Sequence, residues 1–152
     1  MKIVAKNKRA YSLYNVLEKY QAGLSLLGTE VKSIKSGRVS LTGSFILPRG
    51  RELFLIGAKI PPWQESNAPS NYNPERPRKL LLKKQEINYI LGKSKQKGLV
   101  LIPLCLFLKG KRGVVKLEFA LAKRLKKYQK KEKLKQKSIK KEIDQAIKTQ
   151  MY

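Results

Sequence analysis

The sequence predicts a mostly β domain with embedded helices over residues 1–122, followed by a basic tail over residues 123–152. Two observations favour β structure. Residues 99–108 form a nearly continuous apolar run, and residues 114–122 alternate apolar with polar side chains. The third observation is that the last thirty residues carry twelve Lys and Arg against three acidic residues. This segment has too little apolar surface to offset the entropy of ordering it alone.

The first part of the chain predicts a strand and then a short helix. Residues 14–22 alternate loosely between apolar and polar side chains, which indicates a strand. Leu27, Val31 and Ile34 then recur at helical spacing, and Gly37 follows as a stop. We therefore expect a short amphipathic helix that ends before Gly37.

Residues 39–60 predict a β-hairpin, and a long loop follows it. Two β-type runs, residues 39–47 and 52–60, flank residues 48–51, whose Pro and Gly suit a turn. Residues 61–77 hold five of the seven prolines, so no regular element is expected to persist through them. A loop of this length is usually functional or mobile.

The C-terminal half of the domain predicts a helix and a second hairpin. Ile87, Ile90 and Leu91 mark one apolar helical face, which Gly92 or Gly98 ends. The two apolar runs described above then supply the hairpin. This order of elements favours an oligonucleotide-binding-like antiparallel β-barrel with two to three short helices, because closing a barrel leaves no exposed sheet edge.

The tail combines dense positive charge with one narrow apolar stripe. Ile139, Ile143, Ile147 and Met151 recur every four residues, which would place them on one helical face. We expect this tail to be flexible alone and to become helical on a nucleic-acid surface. The alternative is a solvated tail that only aids solubility or non-specific binding.

The charge of the chain indicates a polyanionic partner. The net charge is +25, of which +9 lies in the tail and +16 in residues 1–122. Nucleic acid is the leading partner class. A membrane is disfavoured because the longest apolar run, residues 99–108, is too short to span a bilayer. The N-terminus resembles no secretory signal, so we expect a cytoplasmic protein.

The sequence is poor in the side chains that catalytic and metal sites use. It has no His, and its single Cys105 lies inside the apolar run, where a buried thiol is expected. The acidic residues of the domain are dispersed, and neither a P-loop nor a G-x-G-x-x-G motif is present. We therefore predict no catalytic residue, no metal site and no cofactor, which disfavours an RNA-processing enzyme.

Basic side chains next to aromatic rings favour RNA as the nucleic acid. Such groups are typical of proteins that bind structured or unpaired RNA. They occur as Lys8 and Arg9 near Tyr11 and Tyr14, as Arg76, Arg78 and Lys79 near Tyr72, and as Lys126 and Lys127 beside Tyr128. Core packing is the alternative for rings in strand-like segments, whereas Tyr128 has no predicted core beside it. Composition alone equally supports a ribosomal protein or a general RNA chaperone.

A series of sequence blocks separates these possibilities. The blocks are N-K-R-A at 7–10, A-G-L at 22–24, G-T-E-V-K-S at 28–33, E-L-F-L at 52–55, R-K-L-L-L at 78–82 and L-A-K at 121–123, before the lysine-rich tail. With these blocks the chain resembles the SsrA-binding protein (small protein B) family, the bacterial partners of transfer-messenger RNA in ribosome rescue. The resemblance runs nearly end to end and favours a rescue factor over a ribosomal protein or chaperone.

The resemblance implies an oligonucleotide-binding-like barrel, RNA partners and a set of contact residues. Family members bind the tRNA-like domain of transfer-messenger RNA and escort it to a stalled ribosome, with elongation factor Tu involved indirectly through the RNA. The tail is expected to enter the empty messenger channel beside ribosomal RNA of the decoding centre, and the protein is expected to be monomeric. With the basic residues beside the rings, the expected RNA-binding residues are Asn7, Lys8, Arg9, Glu30, Lys32, Arg78, Lys79, Leu81, Lys116 and Lys123. The expected ribosome-contacting residues are Lys126, Lys127, Tyr128, Lys130 and Lys131.

Two of these assignments have ordinary structural alternatives, and three positions depart from the family pattern. Glu30 could be a simple first-turn acid of a helix, and Leu81 could belong to the core. The departures are Gln21 and Gln129, where an acid is usual, and Arg124, where Gly is usual. None of them makes the region less cationic.

Overall fold

A computed structural model describes residues 2–64 and 71–125 of the chain. This part contains seven strands and three helices. In chain order they are β1 (Lys2–Lys6), α1 (Ala10–Leu13), β2 (Tyr14–Leu24), α2 (Gly28–Lys35), β3 (Phe45–Arg49), β4 (Glu52–Ile56), β5 (Arg78–Leu81), α3 (Lys84–Ser94), β6 (Leu99–Lys109) and β7 (Val114–Arg124).

The strands form one antiparallel sheet in the order β1-β6-β7-β2-β5-β4-β3. The sheet curls so that β3 contacts β6, which gives the predicted barrel-like, mostly β fold. The hydrogen-bonded order leaves β1 and β3 at the ends of the sheet, so β3 and β6 are in contact without a ladder between them among the described strands. Pro48, within β3, suits an edge position because it donates no ladder hydrogen bond.

Alternating side chains divide the sheet between a core and an exposed side. In β7, Val115, Leu117, Phe119 and Leu121 are buried, as the two-residue period predicts. They pack with buried side chains of β4, β6 and the helices, including Leu53, Leu55, Leu106, Ile34 and Ile90. A smaller cluster lies under α1, where Ala10 packs with Ile102, Leu104, Ala120 and Ala122. The outward positions of β7 that α1 does not cover, Lys116 and Glu118, carry charge.

Three elements were not predicted from the sequence, namely β1, α1 and β5. Strands β1 and β5 have only five and four residues, and each becomes a strand by pairing with longer neighbours, β6 and β2. Helix α1 is a single turn of four residues, which is too short to show helical periodicity. The secondary structure of these short segments therefore depends on their contacts with the rest of the fold and not on their local sequence pattern.

Several boundaries also differ from the prediction. The first hairpin exists, but β3 begins at Phe45, and Ser40 makes only an isolated bridge with Lys59. Helix α3 passes through Gly92 and ends at Ser94. Strand β7 continues past Ala122 to Arg124, so the first two residues assigned to the tail belong to the sheet.

Candidate nucleic-acid interface

Three adjacent strands bring Leu81, Gly23 and Lys116 side by side on the outside of the sheet. Gly23 of β2 pairs with Leu81 of β5 on one side and with Lys116 of β7 on the other. A Cβ atom at Gly23 would lie 3.4 Å from Leu81 Cβ and 3.7 Å from Lys116 Nζ. Because Gly23 has no side chain, the apolar Leu81 and the cationic Lys116 approach each other over its strip of backbone, which they cover. Leu81 is 52% exposed, so it lies on the surface and not in the core.

Further cations surround this strip. A pocket of about 710 Å³ covers it, and its basic lining residues outnumber the acidic ones, Glu52 and Glu86. Lys79 Nζ contacts Glu52 Oε1 at 2.8 Å, which partly neutralises one of the cations. We call the following set the basic face: Gly23, Arg51, Lys79, Leu81, Lys83, Lys84 and Lys116. Exposed ammonium groups around an apolar side chain can bind phosphates while leaving a surface for sugar or base.

Glu30 and Arg78, two of the expected RNA-binding residues, lie inside the protein. Both side chains are 0% exposed, and Arg78 Nη2 lies 2.5 Å from Glu30 Oε2. Arg78 Nη1 also donates to the Ala58 carbonyl at 2.8 Å, and its Nη2 donates to the Pro74 carbonyl at 2.9 Å. The expectation that these two side chains touch RNA directly is therefore corrected. They form a buried ion pair that joins α2 to β5.

Arg76 and Tyr72 complete the group around Glu30. Arg76 forms a second ion pair with the Glu30 carboxylate, and the Leu27 backbone N–H donates to Glu30 Oε1 at 2.8 Å. The Tyr72 hydroxyl donates to the Ile60 carbonyl at 2.6 Å and lies 3.2 Å from Glu30 Oε2. Tyr72 therefore anchors its loop, and the cation-and-ring group predicted around it is not an exposed stacking platform.

The hydrogen bonds and burial around Glu30 shift the pKa values of Glu30 and Tyr72. Burial acts to raise the pKa of Glu30, but hydrogen bonds from Arg76, the Leu27 backbone and Arg78 outweigh it and leave the pKa below its ordinary value. Burial and the neighbouring Glu30 carboxylate raise the pKa of Tyr72. A charged carboxylate and a neutral phenol are thus both favoured at neutral pH.

The N-terminal candidates are divided between the interior and the surface. Asn7 is 9% exposed, its Nδ2 donates to the Pro103 carbonyl at 3.0 Å, and its backbone N–H donates to the Leu104 carbonyl at 2.8 Å. Asn7 therefore ties the end of β1 to β6. Lys8 and Arg9 are exposed.

The remaining candidates are not brought together with the basic face. Lys32 is exposed on α2. Lys123 is exposed near the end of β7, seven residues from Lys116, which corresponds to about 23 Å along a strand. The tail residues Lys126, Lys127, Tyr128, Lys130 and Lys131 lie outside the described residues.

Sequence reasoning missed several members of the surface. Gly23, Arg51, Lys83 and Lys84 of the basic face were not proposed as site residues. Neither was Lys19, which lies outside that face and has its Nζ 5.8 Å from the Tyr11 ring centroid. For Gly23 and Lys19 the available signal was their position on the outward alternation of β2. Lys83 and Lys84 offered no such signal, because only the fold places the start of α3 beside Lys116.

The described ranges, 2–64 and 71–125, lack the features of two other kinds of site. They contain no group of three or more acidic, His or Cys side chains arranged to hold a metal ion. They also contain no helix with the length and hydropathy needed to cross a membrane.

Comparisons with known proteins place this geometry in context. A family model described as "SmpB protein" matches residues 4–149. An SsrA-binding protein of Thermosipho africanus is 44% identical over 148 residues, covering 97% of this chain and 98% of the relative. One from Carboxydothermus hydrogenoformans is 46% identical over 146 residues, covering 96% of each. A solved structure described as "tmRNA-SmpB: a journey to the center of the bacterial ribosome" is similar with a TM-score of 0.66 and 41% identity, covering 85% of this chain and 92% of that one.

Proposed function

Because the chain belongs to the SmpB family of SsrA-binding proteins, we propose that it binds transfer-messenger RNA and acts with it on the ribosome in trans-translation. It binds the tRNA-like domain of that RNA and delivers the RNA to stalled ribosomes. The observation that carries the proposal from the chain's own geometry is the basic face, where Leu81 and Lys116 flank Gly23 across three strands.

The basic face supplies the two kinds of contact that folded RNA needs. Lys79, Lys83, Lys84 and Lys116 neutralise phosphates, and this sequence-independent attraction gives most of the affinity. Leu81, half exposed between them, packs against a ribose or an unstacked base. Exposed Lys8, Arg9, Lys32 and Lys123 extend the positive field around the barrel.

Glu30 and Arg78 serve this surface as positioning residues. Their ion pair joins α2 to the first residue of β5, and Lys79 and Leu81 follow on the same strand. Asn7 plays a similar part by fastening the segment that carries Lys8 and Arg9 to β6. The positions that match the family's RNA-contacting motifs thus divide into residues that touch RNA and residues that hold them in place.

The tail and the other partners complete the proposal. Lys126, Lys127, Tyr128, Lys130 and Lys131 contact ribosomal RNA in the empty messenger channel near the decoding centre, and elongation factor Tu meets the protein only through the bound RNA. The protein works as a monomer in the cytoplasm and carries no catalytic residue and no cofactor. Its contribution is recognition and delivery.

Sequencing the RNA that copurifies with the full chain tests the function. We expect one abundant tRNA-like species, and the protein should bind the isolated tRNA-like domain more tightly than a ribosomal RNA fragment of equal length. Copurification of bulk ribosomal RNA without this preference would instead support a ribosomal protein or a general RNA chaperone.

A further inference from the structure

A second pocket lies beside the N-terminal segment, outside the basic face. Its volume is about 450 Å³, within the range of roughly 300–1,000 Å³ that holds small ligands. Strand β1, helix α1 and strands β2, β6 and β7 all contribute to its wall. The side chains used below are Lys6, Lys8, Tyr11, Lys19, Cys105 and Glu118, and we call this the N-terminal pocket.

The pocket combines three ammonium groups with one carboxylate. Lys6, Lys8 and Lys19 line it, and Glu118 is the acidic lining residue. Lys19 Nζ lies 3.9 Å from Glu118 Oε1. After this pairing Lys6 and Lys8 still provide net positive charge, which suits a ligand that carries a phosphate.

The carboxylate of Glu118 keeps part of its hydrogen-bonding capacity. The side chain is 21% exposed, and the Cys105 thiol lies 3.4 Å from Glu118 Oε2. Burial, together with the Glu118 carboxylate, raises the pKa of the Cys105 thiol to about 11, so the thiol stays protonated and donates. A carboxylate offers about four acceptor positions, so Lys19 and Cys105 leave room for two further donors.

Tyr11 gives the pocket a flat apolar wall. The residue is 43% exposed, and Lys19 Nζ lies over one face of the ring, 5.8 Å from its centroid. An exposed ring next to cations is the arrangement on which proteins stack unpaired bases. An aromatic ring, two lysines and a carboxylate with remaining acceptor capacity therefore line one cavity.

The pocket lies next to the basic face along β7, because Lys116 lines the basic face and Glu118 lines the pocket. Glu118 and Lys116 both project outward from β7, because Val115, Leu117 and Phe119 between and beside them are buried. Their Cα atoms are two residues apart, or about 7 Å along a strand. An RNA held on Lys116 can thus reach Glu118 with an adjacent nucleotide.

We propose that the N-terminal pocket binds one unstacked guanine nucleotide of the bound RNA. Guanine is the base that matches Glu118, because its N1–H and N2–H donors lie side by side and meet the two oxygens of a carboxylate. The ring stacks on Tyr11, and Lys6 and Lys8 contact the flanking phosphate. This inference rests on the proposed RNA-binding function and adds a base-specific contact to it.

The test uses the full chain and two single-stranded heptanucleotides, oligo(A) and the same RNA with a central G. We expect the wild-type protein to bind the G-containing RNA roughly tenfold more tightly, the scale of one bidentate base contact. Glu118→Gln should remove this preference. A Gln side chain has one acceptor oxygen and one NH₂ donor, so it cannot accept from both the N1–H and the N2–H of guanine. Glu75→Gln is the matched control, since Glu75 also has one lysine partner, Lys59, at 3.7 Å.

The pattern across variants separates the possible results. Both substitutions remove one negative charge, so both should favour RNA binding in general. Glu75→Gln should strengthen binding of the two RNAs equally and keep the preference for G, whereas Glu118→Gln should also remove the guanine contact and leave the two RNAs with equal affinity. Equal binding of the two RNAs by wild type, or an unchanged preference in Glu118→Gln, would overturn the guanine pocket. Retained preference for the tRNA-like domain would then leave the proposed function standing, whereas loss of that preference would count against the function itself.

A second measurement does not depend on a folded variant. Guanosine monophosphate added to wild-type protein should shift the backbone amide resonances of residues 6–8, Tyr11 and Glu118, and adenosine monophosphate should shift them less. Equal shifts with the two nucleotides would contradict base recognition by Glu118.

Discussion

Glu30 and Arg78 form an ion pair in which both side chains are fully excluded from solvent, with Arg78 Nη2 2.5 Å from Glu30 Oε2. Arg76 shares the same carboxylate. The pair joins α2 to β5 across 48 residues of sequence. The ion pair therefore fixes the position of β5, the strand that carries Lys79 and Leu81. The cost of breaking the pair can be measured as a loss in the free energy of unfolding.

Glu30→Ala should lower the free energy of unfolding by about 3–5 kcal/mol, because it leaves a buried guanidinium without its counter-charge. Urea unfolding followed by circular dichroism measures this change. The control is Glu75→Ala, which breaks an exposed ion pair with Lys59 and should cost about 0–1 kcal/mol. Equal losses in the two variants would show that the burial of Glu30 does not matter to stability.

Acid should weaken the fold through the same carboxylate. Hydrogen bonds from Arg76, the Leu27 backbone and Arg78 outweigh burial and hold the folded-state pKa of Glu30 below its ordinary value of 4.5. The stabilisation is then fully present above about pH 4.5 and is lost as the pH falls towards the folded-state pKa. The unfolding free energy of wild type should fall on acidification below that pH, and Glu30→Gln should flatten part of the fall. An NMR titration of the Glu30 carboxyl carbon with a midpoint at or above 4.5 would contradict this assignment.

The sequence predicted the fold well where a pattern was long. Strands β6 and β7 are eleven residues each, and their apolar run and alternation identify them directly. Strands β1 and β5 escaped prediction because they are short and become strands only through their neighbours. The unclosed seam between β3 and β6 depends on sheet curvature, which periodicity does not encode.

The sequence named individual candidate residues but not the surface on which some of them lie together. Leu81 and Lys116 were expected to bind RNA, and topology alone places both beside Gly23. Glu30 was expected to contact RNA from a family motif, and Arg78 from its place among cations near Tyr72, but neither signal carries information about exposure. No sequence spacing could reveal that their side chains meet in the interior.

Lys116→Ala should weaken binding of the tRNA-like domain and reduce its salt dependence. Each phosphate contact with a DNA duplex contributes about 0.9 to the magnitude of the slope of log affinity against log salt concentration. If the RNA duplex behaves like DNA, removing one contact should reduce that magnitude by about 0.9. Fluorescence anisotropy over a salt series measures both quantities. Lys59→Ala removes the same charge from an exposed lysine outside the basic face and should leave the slope nearly unchanged. A wild-type slope in Lys116→Ala would place the phosphate contact elsewhere.

Leu81→Ala should reduce RNA affinity without a matching loss of stability. The side chain is 52% exposed, so its truncation removes little buried surface, and we expect an unfolding free energy within about 1 kcal/mol of wild type. Binding should fall because the apolar contact beside Gly23 is lost. Leu80→Ala is the opposite case, since Leu80 is 1% exposed and its truncation should cost about 2–5 kcal/mol. Unchanged affinity in Leu81→Ala would remove Leu81 from the interface.

Truncation after Lys127 should separate RNA binding from action on the ribosome. The sheet ends at Arg124, which pairs with Tyr14, and the Leu125 N–H donates to the Leu13 carbonyl at 3.0 Å. Removing residues 128–152 therefore leaves every described ladder hydrogen bond in place, and the basic face keeps its geometry. Affinity for the tRNA-like domain should stay within a few-fold of wild type, because that RNA binds the barrel. Tagging of stalled peptides in a reconstituted translation system should be abolished, because the truncated chain lacks Tyr128, Lys130 and Lys131.

The control is a full-length Tyr128→Phe variant, which keeps the ring and should retain most of the tagging. Parallel loss of binding and tagging on truncation would contradict this division of labour between barrel and tail.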